Sequence, residues 1–187
     1  MYLFFKRLID IVGSSIALIL LFPVILIVLV IVYLQDFHNP IFSHKRVGRN
    51  GVLFTLYKFR SMPLNTPNLE SHMQEKLKVT PFGKFLRRSN LDEIPQLFNI
   101  LKGDMSLIGP RPPISSQIDL IKLRNENGSI KLRPGLTGWA QVNSFDNMPY
   151  HVKAELDGYY YKNVSFLLDT KIILMTLAYL TKTPPTY

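Results

Sequence analysis

The chain has 187 residues, of which 47% are hydrophobic, and its 22 lysines and arginines outnumber its 13 aspartates and glutamates to give a net charge of +9. This length allows one compact domain plus an anchor. Because the sequence contains no cysteine, it excludes a disulfide framework, a thiolate nucleophile and a cysteine-bound zinc site. The excess of positive charge predicts an anionic partner, which could be a nucleotide, a lipid surface or a nucleic acid.

The first predicted element is a membrane segment. No charged residue interrupts positions 11–34, which follow the basic pair Lys6-Arg7. The segment is long enough to cross a bilayer as one helix. It is too long for the apolar region of a signal peptide, and no small-residue cleavage site follows it. Pro23 lies in its middle, where proline removes a hydrogen bond and kinks a helix, so that each half is about one leaflet long.

The charges on both sides of this segment favour a re-entrant hairpin of helices over a kinked span. Lys6-Arg7 precede it and Lys45, Arg46 and Arg49 follow it, and basic flanks favour the cytoplasmic side. A full span would place one basic flank outside. We therefore predict a re-entrant anchor in residues 1–37, without room for additional spans, that bends at Phe22-Pro23, and a second domain in residues 38–187.

The next predicted element is a β-hairpin. Residues 41–47 and 52–59 are rich in β-formers, and Asn50-Gly51 between them is a strong turn signal. The second arm ends in Lys58-Phe59-Arg60, which places two cations on one face of the hairpin. That face is either solvated or binds an anion. Residues 63–79 are polar and predict a mobile loop that leads into a short helix at 70–77.

An amphipathic helix is predicted after Thr80-Pro81, a typical helix start. Its two sides differ in character, with Phe82, Phe85 and Leu86 on one and Lys84, Arg87 and Arg88 on the other. This pattern is typical of a helix that lies among lipid headgroups.

The central stretch, residues 89–113, predicts a helix that begins near Asp92. Pro95 is tolerated only in the first turn of a helix, and Gly103 provides a stop. The apolar positions between them follow a helical period: Ile94, Leu97, Phe98 and Leu101. Asp92 and Glu93 therefore lie at a helix N-terminus.

This acidic pair has two interpretations. Acidic residues in a first turn complement the helix dipole, and Asn90 and Glu93 have the spacing of a capping box. Alternatively, the pair serves phosphoryl chemistry, because the prolines around Arg111 fix a guanidinium suited to phosphate oxygens. One carboxylate would then attack phosphorus, and its neighbour would hold a divalent cation or move a proton.

The remaining chain predicts further helices. Residues 114–127 predict an amphipathic helix that ends at Gly128, and residues 133–143 predict a loop containing the only tryptophan, Trp139, which is either an interfacial or core anchor or a ligand platform. Residues 172–180 are apolar but too short to span a membrane. The predicted fold class is α+β: a re-entrant helix hairpin, then a small, mostly helical cytosolic domain with a β-hairpin and interfacial amphipathic helices.

Several motifs, in order along nearly the whole chain, resemble the bacterial sugar transferase family, the small monotopic phosphoglycosyl transferases. They are RVG at 46–48, YKFRSM at 57–62, LRRSNLDEIPQL at 86–97, KGDMSL at 102–107, GPRP at 109–112 and RPGLTGWAQVN at 133–143. The resemblance implies a location on the cytoplasmic face of the bacterial inner membrane and a role in starting glycoconjugate assembly.

The resemblance also implies a covalent mechanism. Asp92 attacks the β-phosphorus of a UDP-sugar, assisted by Mg²⁺ that Asp92 and Glu93 bind, and UMP leaves. Polyprenyl (undecaprenyl) phosphate then accepts the phosphosugar. Three cations would neutralise phosphate charge: Arg111, Lys58 and Arg87. Further candidate site residues are Arg60, Gln141 and Asp169; Asp157 and Asp169 match acidic positions of the family, where they either accept hydrogen bonds from arginines or, for Asp169, contact the site.

Two positions depart from the family pattern. Phe22 stands where many relatives have serine before the kink proline, and Phe145 stands where many relatives have an arginine, so the donor sugar is not carried over. The expected partners are a UDP-sugar, polyprenyl phosphate and membrane lipid, with downstream glycosyltransferases or a second copy of the chain as candidate protein partners.

Three alternatives belong to other functional classes. A non-catalytic membrane scaffold of the same family would function without Asp92. A membrane-tethered nucleic-acid binder would explain the charge, but the cations are scattered and no known binding module occurs, so nucleic acid is not an expected partner. An ordinary nucleotide-sugar glycosyltransferase is disfavoured because the sequence has no Asp-x-Asp triplet.

Overall fold

The computed structural model describes residues 2–64, 79–143 and 148–180. The helix predicted at 70–77 and the substituted position Phe145 lie outside these ranges. The described part is a mixed α and β structure dominated by helices. Its elements are α1 Tyr2–Leu34, β1 Ile41–Val47, β2 Leu53–Phe59, α2 Pro81–Arg88, α3 Gln96–Lys102, β3 Ser106–Ile108, α4 Ile118–Asn127, β4 Gly135–Thr137, α5 Trp139–Val142, α6 Tyr150–Asn163 and α7 Phe166–Leu180.

The long apolar helix α1 is continuous through Pro23. Among the described residues it is the one helix long and apolar enough to cross a membrane, and few of its side chains are buried. Phe22 is exposed, as expected of a side chain that faces lipid. A helix can continue past a proline at the loss of one backbone hydrogen bond. The two separate helices of a hairpin are therefore not seen, and the re-entrant bend and the boundary at residue 37 stay predictions.

The predicted β-hairpin is confirmed. β1 and β2 pair antiparallel, with Ile41 opposite Phe59 and Phe42 opposite Lys58. The connecting turn has positive φ angles at Asn50 and Gly51, 56° and 79°, which these two residue types tolerate better than others. The hairpin thus fixes the position of Lys58.

The helices around the acidic pair begin and end close to where the sequence predicts. Thr80 Oγ1 accepts a hydrogen bond from the Gly83 N–H at 2.9 Å at the start of α2, and Gly103 ends α3 with a φ of 93°. The acidic pair itself lies in a separate 3₁₀ turn, Leu91–Glu93, before α3. Because Pro95 has no N–H to donate, this turn closes through i to i−3 hydrogen bonds instead of continuing the helix.

The prediction of a loop at 133–143 is wrong in part, because this segment contains β4 and the helical turn α5. β4 pairs in parallel with β3, which joins positions far apart in sequence. The pairing depends on glycines: a Cβ on Gly135 would lie 2.0 Å from the Gly109 nitrogen. Strands of three residues are too short to produce an alternating pattern, so the sequence gives no periodic signal for them.

The core has two parts. The larger part joins the C-terminal half of α1 to the hairpin and to α2 and α3, and its members are Val28, Val32, Phe54, Leu56, Phe59, Leu86, Ile94, Leu97, Ile100 and Met105. The smaller part joins β3 to α6 and α7 through Ile108, Tyr160 and Ile172. Trp139 packs against this smaller part and stacks on Tyr159, with ring centroids 5.6 Å apart, which favours the core-anchor interpretation.

Candidate active site

The acidic 3₁₀ turn packs between α2 and β2, and this packing brings Lys58 against both carboxylates. Lys58 Nζ lies 2.6 Å from Glu93 Oε1 and 3.5 Å from Asp92 Oδ2. Asp92 is buried. The sheet places the lysine and the turn places the acids, so two elements that are distant in sequence form one charged cluster.

Arg111 completes the cluster from the proline-flanked segment. Its Nη2 lies 3.2 Å from Glu93 Oε1, and its side chain is 49% exposed. Glu93 therefore contacts two cations. Asn90, by contrast, makes no side-chain capping bond and has a left-handed backbone with a φ of 55°. The structure thus favours the interpretation of the acidic pair as part of a charged site over that of a capping box.

The two neighbouring carboxylates differ in their proton affinity. Burial alone would raise the pKa of Glu93, but the charges and hydrogen bonds of Lys58 and Arg111 outweigh burial and lower it to about 2. Burial raises the pKa of Asp92; the Glu93 charge adds to this increase, while Lys58, Arg87 and Arg111 oppose it. Carboxylates whose environments move their pKa values apart are typical of groups with different chemical roles.

The backbone around Arg111 is held by hydrogen bonds to four successive carbonyls. Gly135 N–H donates to the Pro110 carbonyl at 2.9 Å, and Val47 N–H donates to that of Pro113 at 3.0 Å. Two arginine side chains donate to the carbonyls between these two. The Arg124 guanidinium donates to the Arg111 carbonyl at 2.8 Å, and the Arg46 guanidinium donates to the Pro112 carbonyl at 3.4 Å. The segment is therefore fixed by β1, β4 and α4 together.

Arg124 is itself fixed by Asp157 on α6. Its Nε and Nη2 donate to Asp157 Oδ2 at 2.9 and 2.6 Å, and both side chains are almost fully buried. Burial raises the pKa of Asp157, and the Arg124 charge opposes that increase. Asp157 thus accepts hydrogen bonds from an arginine, as the sequence predicts.

Two residues of β1 that the sequence does not predict to be at the site, His44 and Arg46, lie beside it. The Arg46 Nε donates to His44 Nε2 at 3.1 Å. Burial lowers the pKa of His44 to about 3, with further contributions from Arg46, Lys58 and Arg111, so the imidazole is neutral at pH 7. Burial and Arg111 lower the pKa of Arg46 to about 10. Phe42 lies opposite Lys58, and every second side chain of β1 shares its face, so His44 and Arg46 lie on the face of Lys58. This alternation is the sequence signal that identifies both residues.

The other predicted site residues separate into one near the cluster and three elsewhere. Arg87, at the end of α2, lies close enough for its charge to lower the pKa of Asp92. Arg60 instead binds Asp36, with Nη2 2.6 Å from Oδ1, and so holds the segment after α1. Gln141 Nε2 donates to the Leu136 carbonyl at 3.4 Å.

Asp169 belongs to a third cluster, which ties the first turns of α1 to α6 and α7. Lys6 Nζ and the Tyr160 hydroxyl each donate to Asp169 at 2.6 Å, and Tyr2 donates as well. Asp10 continues this polar seam, because its Oδ1 accepts from Ser106 Oγ at 3.0 Å. The structure therefore places Asp169 at a helix junction, outside the cluster of Asp92.

The carboxylates of Asp92 and Glu93 are suitable ligands for Mg²⁺. This ion is commonly held by one or two carboxylates together with substrate phosphates, not by an all-protein cage. The described residues contain no group of three or more histidine, aspartate or glutamate side chains that could hold a metal. The pair therefore fits an ion that is shared with a substrate phosphate.

The chain matches known proteins over most of its length. A family model described as bacterial sugar transferase matches residues 1–183. The uncharacterized sugar transferase EpsL of Bacillus subtilis (strain 168) is 37% identical over 174 residues, which are 92% of this chain and 85% of EpsL. The undecaprenyl-phosphate galactose phosphotransferase of Salmonella typhimurium is 37% identical over 190 residues, which are 92% of this chain and 40% of that protein.

A third relative is the UDP-N-acetylgalactosamine-undecaprenyl-phosphate N-acetylgalactosaminephosphotransferase of Aeromonas hydrophila. It is 38% identical over 183 residues, which are 94% of this chain and 43% of that protein. The chain thus spans less than half the length of the Salmonella and Aeromonas relatives and most of the length of EpsL.

Proposed function

The chain belongs to the bacterial sugar transferase family, and from that premise we propose that it transfers a phosphosugar from a UDP-sugar to undecaprenyl phosphate and releases UMP. The observation that carries the proposal is the cluster in which Lys58 and Arg111 surround the two carboxylates. Relatives named as undecaprenyl-phosphate galactose and N-acetylgalactosamine phosphotransferases support the choice of acceptor and reaction.

Asp92 is the nucleophile in this proposal. Its carboxylate oxygen forms a bond to the β-phosphorus of the donor, the bond from that phosphorus to the bridging oxygen breaks, and the electron pair leaves with UMP. An oxygen of undecaprenyl phosphate then attacks the same phosphorus, and the bond to Asp92 breaks. Glu93 is less suited to attack, because it contacts Lys58 at 2.6 Å and Arg111 at 3.2 Å and its low pKa makes it the weaker base.

The cations lower the barrier by neutralising phosphate charge, which is where most stabilisation in phosphoryl transfer arises. Lys58 and Arg111 already point at the carboxylates, and Arg87 approaches from α2. Mg²⁺ bound by Asp92 and Glu93 would supply additional positive charge to the donor diphosphate.

The contacts of α1 support an anchor that enters and leaves the membrane on one side, the cytoplasmic face where UDP-sugars are available. Lys6 near its start contacts Asp169, while Val28 and Val32 near its end are buried in the larger core. Along a straight helix Lys6 and Val32 are about 39 Å apart, more than the roughly 30 Å hydrocarbon core. A helix that crossed the bilayer could not hold both ends against one domain.

Intact-mass measurement tests this function. Protein purified in detergent is exposed briefly to Mg²⁺ and a panel of UDP-sugars, as wild type, as Asp92→Asn and as Asp119→Asn, a control at an exposed aspartate in the first turn of α4. We expect a phosphosugar adduct and UMP release in the wild type and the control and neither in Asp92→Asn.

Three outcomes would redirect the proposal. An adduct that persists in Asp92→Asn would move the nucleophile to another residue. UMP release that requires undecaprenyl phosphate, without any adduct, would favour direct transfer. If no donor yields UMP even with undecaprenyl phosphate present, the proposed activity fails and the non-catalytic scaffold remains.

A further inference from the structure

Arg111 borders a second feature besides the carboxylate cluster, an open cleft between the proline-flanked segment and the helices α4 and α6. Its empty volume is about 380 Å³ when the solvent at its mouth is included. The polar side chains that line it are Arg46, Arg111, Gln117, Arg124 and Lys153, and the rest of the lining is Pro112, Pro113, Ile114 and Leu120. Neither Asp92 nor Glu93 belongs to this lining.

The charge of this cleft is strongly positive. Four of its lining residues are cations, and the described lining contains no aspartate or glutamate. Arg124 is neutralised by Asp157, and Arg111 shares Glu93 with Lys58. Arg46 and Lys153 bring the number of cations in the lining to four, and the acids that act on these two residues, Glu93 and Asp157, lie outside the lining. A partly enclosed surface of this kind attracts an anion more strongly than an exposed one would.

The cleft also offers one uncharged polar side chain, Gln117, which the Tyr150 hydroxyl holds from outside the lining. Gln117 Oε1 accepts from the Ile114 N–H at 3.2 Å, and its Nε2 donates to the Tyr150 hydroxyl at 3.3 Å. An amide in this position can hydrogen-bond the heteroatoms of a sugar or a base. A cationic centre beside an uncharged polar side chain fits a phosphate that carries an uncharged polar substituent.

We propose that this cleft binds the nucleoside monophosphate half of the donor, with the α-phosphate near Arg46, Arg111 and Lys153. The inference rests on the proposed function. The reacting phosphate must lie at Asp92, and Arg111 is the one described side chain that both contacts the acidic pair and lines the cleft. A diphosphate that passes Arg111 therefore continues into the cleft.

The acceptor has a different route to Asp92. A polyprenyl phosphate arrives from the membrane, and α2 combines the exposed apolar side chain Phe85 with Arg87, whose charge acts on Asp92. The cleft is lined from α4 and α6 instead. The two substrates thus reach the acidic pair along separate elements.

Binding of UMP to the full chain in detergent tests the inference at Lys153, which is half-buried in the first turn of α6. We expect Lys153→Gln to weaken UMP binding about tenfold, the effect of losing one charge-assisted hydrogen bond, and Lys153→Arg to retain most of the affinity. Lys162→Gln is the matched control, because it removes the same charge from an exposed position of the same helix.

Competition with UMP by other compounds tests which ligand the cleft binds. Uridine without phosphate should bind more weakly than UMP, and inorganic phosphate should compete at higher concentration. Equal UMP affinity in Lys153→Gln and Lys162→Gln would overturn the assignment, provided that Lys153→Gln unfolds at the wild-type temperature. Competition by a short-chain polyprenyl phosphate that is weakened in Lys153→Gln would assign the cleft to the acceptor and would also overturn it.

Failure of this inference is distinguishable from failure of the proposed function. Adduct formation at Asp92 with saturating donor depends on the acidic cluster and not on Lys153. We therefore expect Lys153→Gln to raise the donor concentration needed for half-maximal adduct formation, about tenfold, with little change in the rate at saturation. An adduct with unchanged donor dependence would reject the cleft alone; no adduct with any donor would reject the chemistry.

Discussion

Two acid–base clusters adjoin the proline-flanked segment and differ in their balance of charge and in their exposure. Asp157 and Arg124 form a closed pair: their side chains are 2% and 3% exposed, and the three donor groups of Arg124 described above all have acceptors. Asp92 and Glu93 lie instead among Lys58, Arg111 and Arg87, and Arg111 is half exposed.

This difference in charge balance distinguishes an ion pair that stabilises the fold from a cluster that can also bind an anion. A closed pair gains little from any ligand, since its polar atoms are already satisfied. A cluster of three cations around two acids carries a net positive charge, and the half-exposed Arg111 makes that charge accessible to an anion. Residue type alone does not distinguish the two, because both consist of carboxylates and basic side chains.

The largest effect is expected from Asp92→Asn. If Asp92 is the nucleophile, the substitution should reduce phosphosugar transfer by roughly 10³-fold or more. The protein should remain folded, because the buried carboxylate is destabilising where its pKa is raised. Turnover assays beside thermal unfolding check both halves of the expectation, and a loss of activity that parallels unfolding would contradict it.

Substitution of the Asp157–Arg124 pair should mainly lower stability, whereas substitution of Asp92 should mainly lower activity. Asp157→Leu leaves Arg124 buried and unpaired and should lower the free energy of unfolding by about 3–5 kcal/mol. Adding Arg124→Leu should recover much of that stability, since an apolar pair can replace a buried ion pair. The double variant still lacks the hydrogen bond to the Arg111 carbonyl, so we expect its transfer rate to stay below wild type.

Denaturant unfolding of the single and double variants measures the stabilities. Equal stability of Asp157→Leu and the wild type would show that the pair is not closed in the way described.

The acidic pair predicts pH effects of opposite sign. The pKa of Glu93 falls to about 2 in the folded protein from 4.5, so its stabilising contribution is present above pH 4.5 and is lost as the pH falls towards 2. Glu93→Gln should therefore cost stability near neutral pH, and the difference from wild type should shrink below pH 4.5.

The pKa of Asp92 is raised from 3.8, so its ionised form opposes folding above the raised value. Asp92→Asn should be more stable than wild type at neutral pH, with the gain vanishing below about pH 3.8. Unfolding curves between pH 2.5 and 7, roughly the window set by these shifts, compare the variants. Two variants with the same sign would contradict the contrast between the carboxylates.

The smallest effect is expected from Arg60→Lys. Arg60 holds Asp36 through two nitrogens, and lysine cannot reproduce that fork, so the free energy of unfolding should fall, but by less than in Asp157→Leu. Because Arg60 lies outside the carboxylate cluster, the transfer rate per folded molecule should not change. A large drop in that rate at unchanged stability would show that Arg60 contributes to the active site.

The parts of the fold that the sequence predicts well depend on local chemistry. Asn50-Gly51 marks the hairpin turn, Thr80 the start of α2, and Gly103 the end of α3, because each residue acts on backbone within a few positions. The motif around Asp92 and Arg111 brings Glu93 and Arg111 into contact, as the sequence suggests, and phosphate binding there stays a prediction.

What the sequence does not predict depends on distant contacts. β4 forms only because the backbones of Gly109 and Gly135 meet, and His44 joins the site only through pairing across the hairpin. The alternation of Lys58 and Arg60 predicts that they share one face of the hairpin, but β2 ends at Phe59 and Arg60 binds Asp36 instead. No local sequence pattern encodes these long-range contacts.

The junction of Asp169 with Tyr2 and Lys6 sets an order of events during synthesis. Tyr2 and Asp169 are 167 positions apart, so the first turn of α1 leaves the ribosome long before its partner on α7 exists. The apolar part of α1 is available to a membrane while its polar first turns still lack that partner. For a membrane-bound α1, insertion therefore comes before docking, and the junction at Asp169 forms only when α7 has been made.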